Sequence, residues 1–136
     1  MAIVYDEKCD KYLTINWHEL GGRLFIGGTR KEGEPVEECA RREIAEETGY
    51  TNLELISILP KINHHYYAYN KDKYFNIIST GLYFKLIDDE KVALHLDADE
   101  KFDVEWVSQD IVLEEIKDEL HRKTYEYMNN SESILD

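Results

Sequence analysis

Residues 28–50 read GTRKEGEPVEECARREIAEETGY, and the glutamates of this segment give the first indication of chemistry. Glu43, Glu46 and Glu47 have the spacing i, i+3, i+4, which places three carboxylates on one face of an α-helix. Like charges at this separation repel one another, so a bound cation explains the cluster best. Oxygen ligands favour a hard ion, Mg²⁺ or Mn²⁺, over zinc. A hard divalent ion beside a short turn indicates phosphate chemistry.

The same segment predicts a helix with a defined start and end. Pro35 suits the first helical position, because its missing N–H would have no helical partner there. Gly49 suits the left-handed residue that follows a helix. Upstream, Arg23 to Ile26 reads as a short strand that leads into Gly27 and Gly28. The segment is therefore predicted to form a strand, a glycine turn, a loop and a helix.

Composition predicts one domain over residues 1–130 with a frayed tail at 131–136, since 43% of the 136 residues are hydrophobic. Sixteen basic and twenty-nine acidic residues give a net charge of −13, which repels duplex nucleic acid. A phosphate substrate would then need a bridging cation. Cys9 and Cys39 lack metal-like spacing and indicate a reducing compartment. Without a signal peptide or an apolar run near ~20 residues, the protein is predicted to be cytoplasmic, with no membrane contact.

The remaining elements follow from alternation and helical periodicity. Strands are predicted at Ile3–Tyr5, Tyr12–Trp17, Leu53–Leu59 and Val104–Val107. A hairpin is predicted from residues 64–69 and 74–86 around a polar tip, followed by a charged loop at 88–100. Ser108 is expected to cap one final helix with apolar positions at Ile111, Val112, Ile116 and Leu120. Mixed strands with a central and a terminal helix predict an α+β fold, specifically an α/β/α sandwich.

The segment 28–50 resembles the Nudix box at every fixed position. The matching residues are Gly28, Glu34, Arg42, Glu43, Glu46, Glu47 and Gly49, with Ile44 and Tyr50 at the two bulky apolar positions. A chance match of the seven identities anywhere in the chain is expected at about 10⁻⁴ or below. The resemblance implies the Nudix fold, a mixed β-sheet between helices with the box as loop-helix-loop. Many relatives have proline before the Gly-Gly pair, where this chain has Ile26.

The resemblance also implies an activity and its residues. Nudix enzymes hydrolyse a pyrophosphate bond in a nucleoside diphosphate linked to another moiety, such as a nucleoside triphosphate, an oxidised nucleotide or ADP-ribose. Mg²⁺, or alternatively Mn²⁺, is the implied cofactor, and the implied ligands are Gly27 through its carbonyl, Glu43, Glu46 and Glu47. Arg42 is expected to orient a neighbouring carboxylate, and Glu34 to support the loop or contact a metal through water.

The general base is less closely specified by the box. Some relatives supply it from the loop before the last strand, where this chain has Glu100, with Asp97 and Asp99 as neighbouring alternatives. Glu43 is the alternative within the box. A solvated acidic loop with no catalytic role explains Glu100 equally well.

Basic and aromatic residues near the box are candidates for substrate binding. Arg23 and Arg30 flank the glycine turn and suit substrate phosphates, although ordinary surface charge explains them equally well. Tyr67 belongs to the aromatic run at 64–69, which suits base stacking. A strand that presents aromatic side chains alternately to core and solvent is the simpler interpretation of that run.

Two other functions compete with hydrolysis. Some Nudix domains bind nucleotides as sensors or serve as accessory domains of larger enzymes such as aminoacyl-tRNA synthetases, but such domains commonly lose box glutamates that this chain keeps. An isopentenyl-diphosphate-isomerase-like enzyme would need a catalytic cysteine, and Cys9 and Cys39 are poorly placed for that. Homodimers are common among relatives, so a homodimer stays open. The substrate itself is chosen by loops outside the box.

Overall fold

The computed structural model describes residues 1–18, 22–94 and 102–135, with side chains described as far as residue 130. The strands in these residues are β1 (Ala2–Asp6), β2 (Lys11–Trp17), β3 (Gly22–Leu24), β4 (Leu53–Ile58), β5 (Ile62–Ala68), β6 (Lys73–Ser79), β7 (Leu82–Leu86) and β8 (Phe102–Val107). The helices are α1 (Val36–Thr48), α2 (Gln109–Glu115) and α3 (Glu119–Leu135). The strands predicted for β1, β2, β4 and β8 are therefore confirmed to within two residues.

One mixed sheet forms the centre of the fold. Its strands lie in the order β3-β2-β1-β7-β4, and β8 pairs with β2. β1 runs parallel to β7, with Ala2 opposite Leu82, whereas the other pairs in this sheet are antiparallel. β5 and β6 form a separate two-stranded sheet. The mixed sheet expected from the sequence is confirmed.

Alternating side chains divide the core between the two faces of the mixed sheet. Along β1, Ala2 and Val4 belong to one buried cluster and Ile3 to the other, as expected for a strand covered on both faces. The first cluster includes Ala40 and Ile44 of α1. The second includes residues of α2, α3 and their connection, namely Val112, Ile116, Tyr125 and Met128. Because α1 covers one face and the C-terminal helices cover the other, the predicted α/β/α sandwich is confirmed.

The strand predicted over residues 74–86 is two strands in the structure, so this prediction was wrong. β6 ends at Ser79, and β7 begins at Leu82 in the central sheet. Gly81 lies in the break, where a Cβ would come within 2.5 Å of Thr124 Cγ2 and 3.3 Å of Leu59 Cδ1. The chain can pass this close to α3 because residue 81 has no side chain.

The single C-terminal helix predicted after Ser108 is also wrong, since α2 and α3 are separate. Ser108 is the N-cap of α2, but its side chain makes no capping hydrogen bond. Ile116 is extended, with ψ of 104°, and lies buried between the helices. Asp118 starts α3, because its carboxylate accepts a hydrogen bond from the His121 N–H at 3.1 Å. α3 continues to Leu135, into the segment for which a frayed tail is predicted. No helix in the described ranges combines the length and the apolar composition needed to span a bilayer.

The helix of the box begins one residue later than predicted and ends as predicted. Pro35 is the N-cap of α1 rather than its first helical residue, and its carbonyl accepts the N–H of Cys39 at 3.0 Å. Gly49 has a φ of +85° and donates its N–H to the Ala45 carbonyl at 3.0 Å. A Cβ at Gly49 would lie 2.8 Å from the Val92 carbonyl oxygen, so the segment after β7 packs tightly against this helix end.

Candidate functional site

A cavity of about 650 Å³ lies between the glycine turn, α1 and β6. Its volume is in the range of pockets that bind small molecules. The turn contributes Gly27, Gly28, Thr29 and Arg30, and α1 contributes Val36, Cys39, Ala40 and Glu43. The opposite wall consists of Lys61 and residues 76–80. The box thus forms one side of the cavity and the hairpin region forms the other.

Gly28 lies directly against the carboxylate of Glu43. A Cβ built on Gly28 would lie 2.0 Å from Cδ and 2.3 Å from Oε1 of Glu43. Gly27 differs, because a Cβ at that position meets no heavy atom within 4 Å. A glycine is therefore needed at position 28 for the Glu43 carboxylate to occupy its present place beside the turn.

The guanidinium of Arg42 joins the loop of the box to the helix. Its Nε and Nη2 donate to the two carboxylate oxygens of Glu34, at 2.8 and 3.0 Å. Its Nη1 donates to Glu43 at 2.9 Å and to Glu46 at 3.3 Å. Nη2 also donates to the Thr29 carbonyl at 3.2 Å. A planar guanidinium suits this arrangement because its donors diverge in fixed directions, so one side chain holds both the loop and the Glu43 carboxylate.

Hydrogen bonding keeps the Glu34–Arg42 pair ionised. The Arg42 guanidinium, assisted by the Lys31 backbone N–H, holds the pKa of Glu34 at about 2, well below its ordinary range. The hydrogen bond to Glu34 in turn raises the pKa of Arg42. Burial raises the pKa of the neighbouring Cys39 thiol, which disfavours the thiolate and agrees with a packing role for this residue. The geometry of the Glu34–Arg42 pair therefore suits a positioning role.

The three box glutamates share α1, but their surroundings differ. Glu43 lines the cavity with 15% of its side chain exposed, Glu46 is 55% exposed, and Glu47 is half-buried. Across residues 1–18, 22–94 and 102–130, no three His, Cys, Asp or Glu side chains come together as a metal-binding group. The donor set still fits a hard divalent ion, because all its donors are oxygens and Gly28 leaves the Glu43 carboxylate beside the turn. The assignment of the metal ligands stays a prediction.

The other predicted site residues do not all lie at the cavity. Arg30 lines the cavity. Arg23 does not line it: this side chain is 7% exposed and binds Thr14 at 2.9 Å and Glu105 at 3.3 Å, so it connects strands of the central sheet. Tyr67 lies on the hairpin, where its hydroxyl donates to Asp72 and its ring packs on Tyr74. Glu100, Asp97 and Asp99 lie outside the described residues.

Sequence reasoning missed the residues of the opposite wall. Lys61 follows β4, and Asn76 to Thr80 belong to the end of β6 and the break after it. They reach the cavity because the hairpin region lies across it from the box, although Lys61 and Asn76 are 18 and 33 residues from Glu43 in the chain. A lysine next to a proline and an asparagine within a strand carry no local pattern that signals this placement.

Comparison with known proteins agrees with the fold. The family described as NUDIX domain matches residues 2–128. A Nudix hydrolase from Nitrosomonas europaea superposes with a TM-score of 0.60 at 18% identity, covering 96% of this chain and 87% of its own. An ADP compounds hydrolase gives a TM-score of 0.60 at 16% identity, covering 95% of this chain and 70% of its own. At these identities the two structures show the fold alone.

A more similar sequence is found in the mutator MutT protein from Bacillus halodurans. It is 26% identical to this chain and superposes with a TM-score of 0.52, covering 84% of this chain and 69% of its own. No protein with a curated description matches the chain. The match over residues 2–128 includes the whole box, all eight described strands, α1, α2 and the first ten residues of α3.

Proposed function

Because the chain belongs to the Nudix family of pyrophosphohydrolases, we propose that it cleaves a pyrophosphate bond in a nucleoside diphosphate linked to another moiety, with Mg²⁺ as cofactor. The close approach of Gly28 to Glu43 supports this proposal most directly, because it places a carboxylate beside the turn at one end of a nucleotide-sized cavity. One structural relative is named as an ADP compounds hydrolase, and ADP compounds belong to this class. Mn²⁺ is the alternative cofactor.

In this proposal, some residues of the box bind the metal and others position the metal ligands. The carboxylates of Glu43, Glu46 and Glu47 and the Gly27 carbonyl would hold the metal. When bound, Mg²⁺ neutralises phosphate charge and lowers the pKa of a coordinated water. Arg42 fixes Glu43 through the 2.9 Å hydrogen bond from Nη1 and holds the loop through its two bonds to Glu34. The net charge of −13 makes such neutralisation necessary for an anionic substrate.

Two basic side chains of the cavity are suited to the substrate phosphates. Arg30 lies on the glycine turn, and Lys61 lies on the opposite wall. Neither forms an ion pair with any other described residue, so both are available to a phosphate. Cations on two sides of a cavity bind a polyphosphate by charge and leave the acidic end for the metal.

We propose Glu100 as the general base, with Glu43 as the alternative. The described residues on both sides of segment 95–101 are anchored near the box: Val92 donates its N–H to the Gly49 carbonyl at 2.9 Å, and Phe102 pairs with Trp17. The pH dependence of kcat would separate the two candidates. Glu100→Gln should remove the acidic limb of the profile if Glu100 is the base, and should leave it in place if Glu43 acts instead.

Phosphate release from a nucleotide panel tests the proposed function. The panel contains normal and oxidised nucleoside triphosphates, ADP-ribose, diadenosine polyphosphates and nucleotide sugars, each with Mg²⁺, assayed with a pyrophosphatase or phosphatase coupling enzyme. We expect turnover of at least one compound, loss of most of it in Glu47→Gln, and little change in the control Glu54→Gln, which alters an exposed residue of β4. An active Glu47→Gln enzyme would contradict the metal assignment. If the panel is inert but a nucleotide raises the melting temperature, the chain is a binding module.

A further inference from the structure

The wall of the cavity opposite the box is formed by the edge of a strand. Residues 76–79 of β6 and the following Thr80 all line the cavity, although successive side chains of a strand point to opposite faces. A consecutive run of this kind is expected where the edge of a strand, with its backbone, faces the cavity. β6 pairs with β5 and with no other strand in the described part of the chain, so its second edge offers open backbone donors and acceptors.

Asn76 adds a carboxamide to this edge. It is exposed and lies opposite His65 in the hairpin, and its side chain makes no hydrogen bond to another described residue. Its amide offers two N–H donors and a carbonyl acceptor side by side. The neighbouring residues Ile77 and Ile78 are exposed and apolar, with 39% and 67% of their surfaces accessible. A flat group with a polar edge would find apolar contacts and hydrogen bonds together here.

The proposed metal ligands set the direction of a bound nucleotide. Glu43 and the glycine turn stand at one side of the cavity and β6 at the other. Lys61 also lies on the β6 side, but it precedes Ile62, which pairs with Ser79, whereas Asn76 pairs with His65 three residues farther along the hairpin. Phosphates held by the metal and by Lys61 would leave the nucleobase to reach Asn76. We propose that Asn76 binds the nucleobase of the substrate by pairing with its hydrogen-bonding edge. This inference rests on the proposed function and deepens it.

The chemistry of the bases gives a specific consequence. All four bases present one donor next to one acceptor, guanine through N1–H and O6, and a carboxamide matches such a pair in one of its two orientations, so Asn76 can pair with each base. A carboxylate has only acceptors. Guanine alone presents two adjacent donors, N1–H and the 2-amino group, on one edge. Asn76→Asp should therefore favour guanine over adenine, and Asn76→Leu should remove the pairing for every base.

The experiment measures kcat/KM for the adenine, guanine, cytosine and uracil forms of whichever nucleoside diphosphate derivative is hydrolysed, in wild type and variants. In Asn76→Asp, we expect the guanine-to-adenine ratio to rise about tenfold, the equivalent of about 1.4 kcal/mol. In Asn76→Leu, KM should rise about tenfold for all bases while kcat changes little. Asn63→Asp is the matched control, because Asn63 is exposed on β5 of the same hairpin and does not line the cavity. It should leave the ratio unchanged.

An unchanged guanine-to-adenine ratio in a folded Asn76→Asp protein would overturn the inference, as would the same shift in Asn63→Asp. Equilibrium dialysis with the four nucleoside diphosphates separates this inference from the proposed function. If no compound is hydrolysed but Asn76→Asp shifts binding toward GDP, the proposed function fails and the base-binding role stands. If hydrolysis is seen but neither turnover nor binding depends on residue 76, the proposed function stands and the base-binding role fails.

Discussion

Replacing Gly28 by alanine would move the Glu43 carboxylate without damaging the fold. The new Cβ would lie 2.0 Å from Glu43 Cδ, whereas non-bonded carbon atoms approach to about 3.5 Å. The carboxylate must therefore shift by about 1.5 Å. Because the clash involves the end of a flexible side chain, stability should change by less than about 1 kcal/mol. Displacement of a reacting group by about 1 Å costs about a hundredfold in rate, so kcat/KM should fall at least that far.

Gly27→Ala is the control for this substitution. A Cβ at Gly27 contacts no heavy atom within 4 Å, and its carbonyl is retained in the variant. We expect near-wild-type activity in Gly27→Ala and loss in Gly28→Ala, at similar melting temperatures. The measurement is initial rates with the substrate found in the panel, together with thermal unfolding of both variants. Full activity in Gly28→Ala, or equal losses in both variants, would refute the idea that Gly28 exists to admit the Glu43 carboxylate.

Other predictions concern stability, pH and substrate binding. Burial lowers the pKa of His121 from 6.5 to about 4, a shift that nearby Asp118 opposes and the N-terminal amine assists, while Nδ1 accepts the Phe25 N–H at 3.1 Å. Because the pKa is lowered in the folded state, this contribution to the free energy of unfolding is complete above pH 6.5 and falls by about 3 kcal/mol as the pH drops toward 4. In urea unfolding at a series of pH values, His121→Asn should make the free energy of unfolding depend less steeply on pH in this range. An equally steep dependence in the variant would contradict this prediction. Gly81→Ala should lower the free energy of unfolding by about 1–3 kcal/mol, because its Cβ would clash with Thr124 and Leu59. Gly27→Ala is the control. An unchanged melting temperature in Gly81→Ala would contradict the prediction and would mean that α3 shifts to accommodate the methyl group. Lys61→Ala should raise KM about tenfold and leave kcat unchanged. Lys71→Ala at the hairpin tip is the control and should leave KM unchanged. Equal increases in KM in both variants would mean that the net charge of the protein, and not the position of Lys61, determines substrate binding.

The box could be predicted in detail because its signals are local. The i, i+3, i+4 glutamates and the C-terminal Gly49 each act within one or two helical turns, and the structure places α1 and its left-handed end accordingly. Alternation along β1 and β2 likewise follows from backbone geometry and burial on both sheet faces. These features depend on neighbours in the chain, which a single sequence contains.

The errors lie where distant segments meet. The break at Gly81 exists because α3 and the residue after β4 come close to the backbone there, which no local pattern shows. Arg23 looked available to a phosphate but is buried between Glu105 and Glu115, 82 or more residues away in the chain. Lys61 and Asn76 enter the cavity through the packing of the hairpin. Asp118 is a typical helix N-cap residue, but the apolar positions before and after it keep helical spacing, which favoured the prediction of one continuous helix.

Metal binding by the box is the central claim, and it can be measured without knowing the substrate. Electron paramagnetic resonance of Mn²⁺ titrated into the protein counts bound ions directly, and competition with Mg²⁺ gives the affinity for the proposed cofactor. We expect saturable binding in wild type, a large loss in Glu47→Gln and Glu43→Gln, and wild-type binding in Glu38→Gln, which changes an exposed residue of the same helix. Binding that is unaffected by Glu43→Gln and Glu47→Gln, or equally weakened by Glu38→Gln, would contradict it.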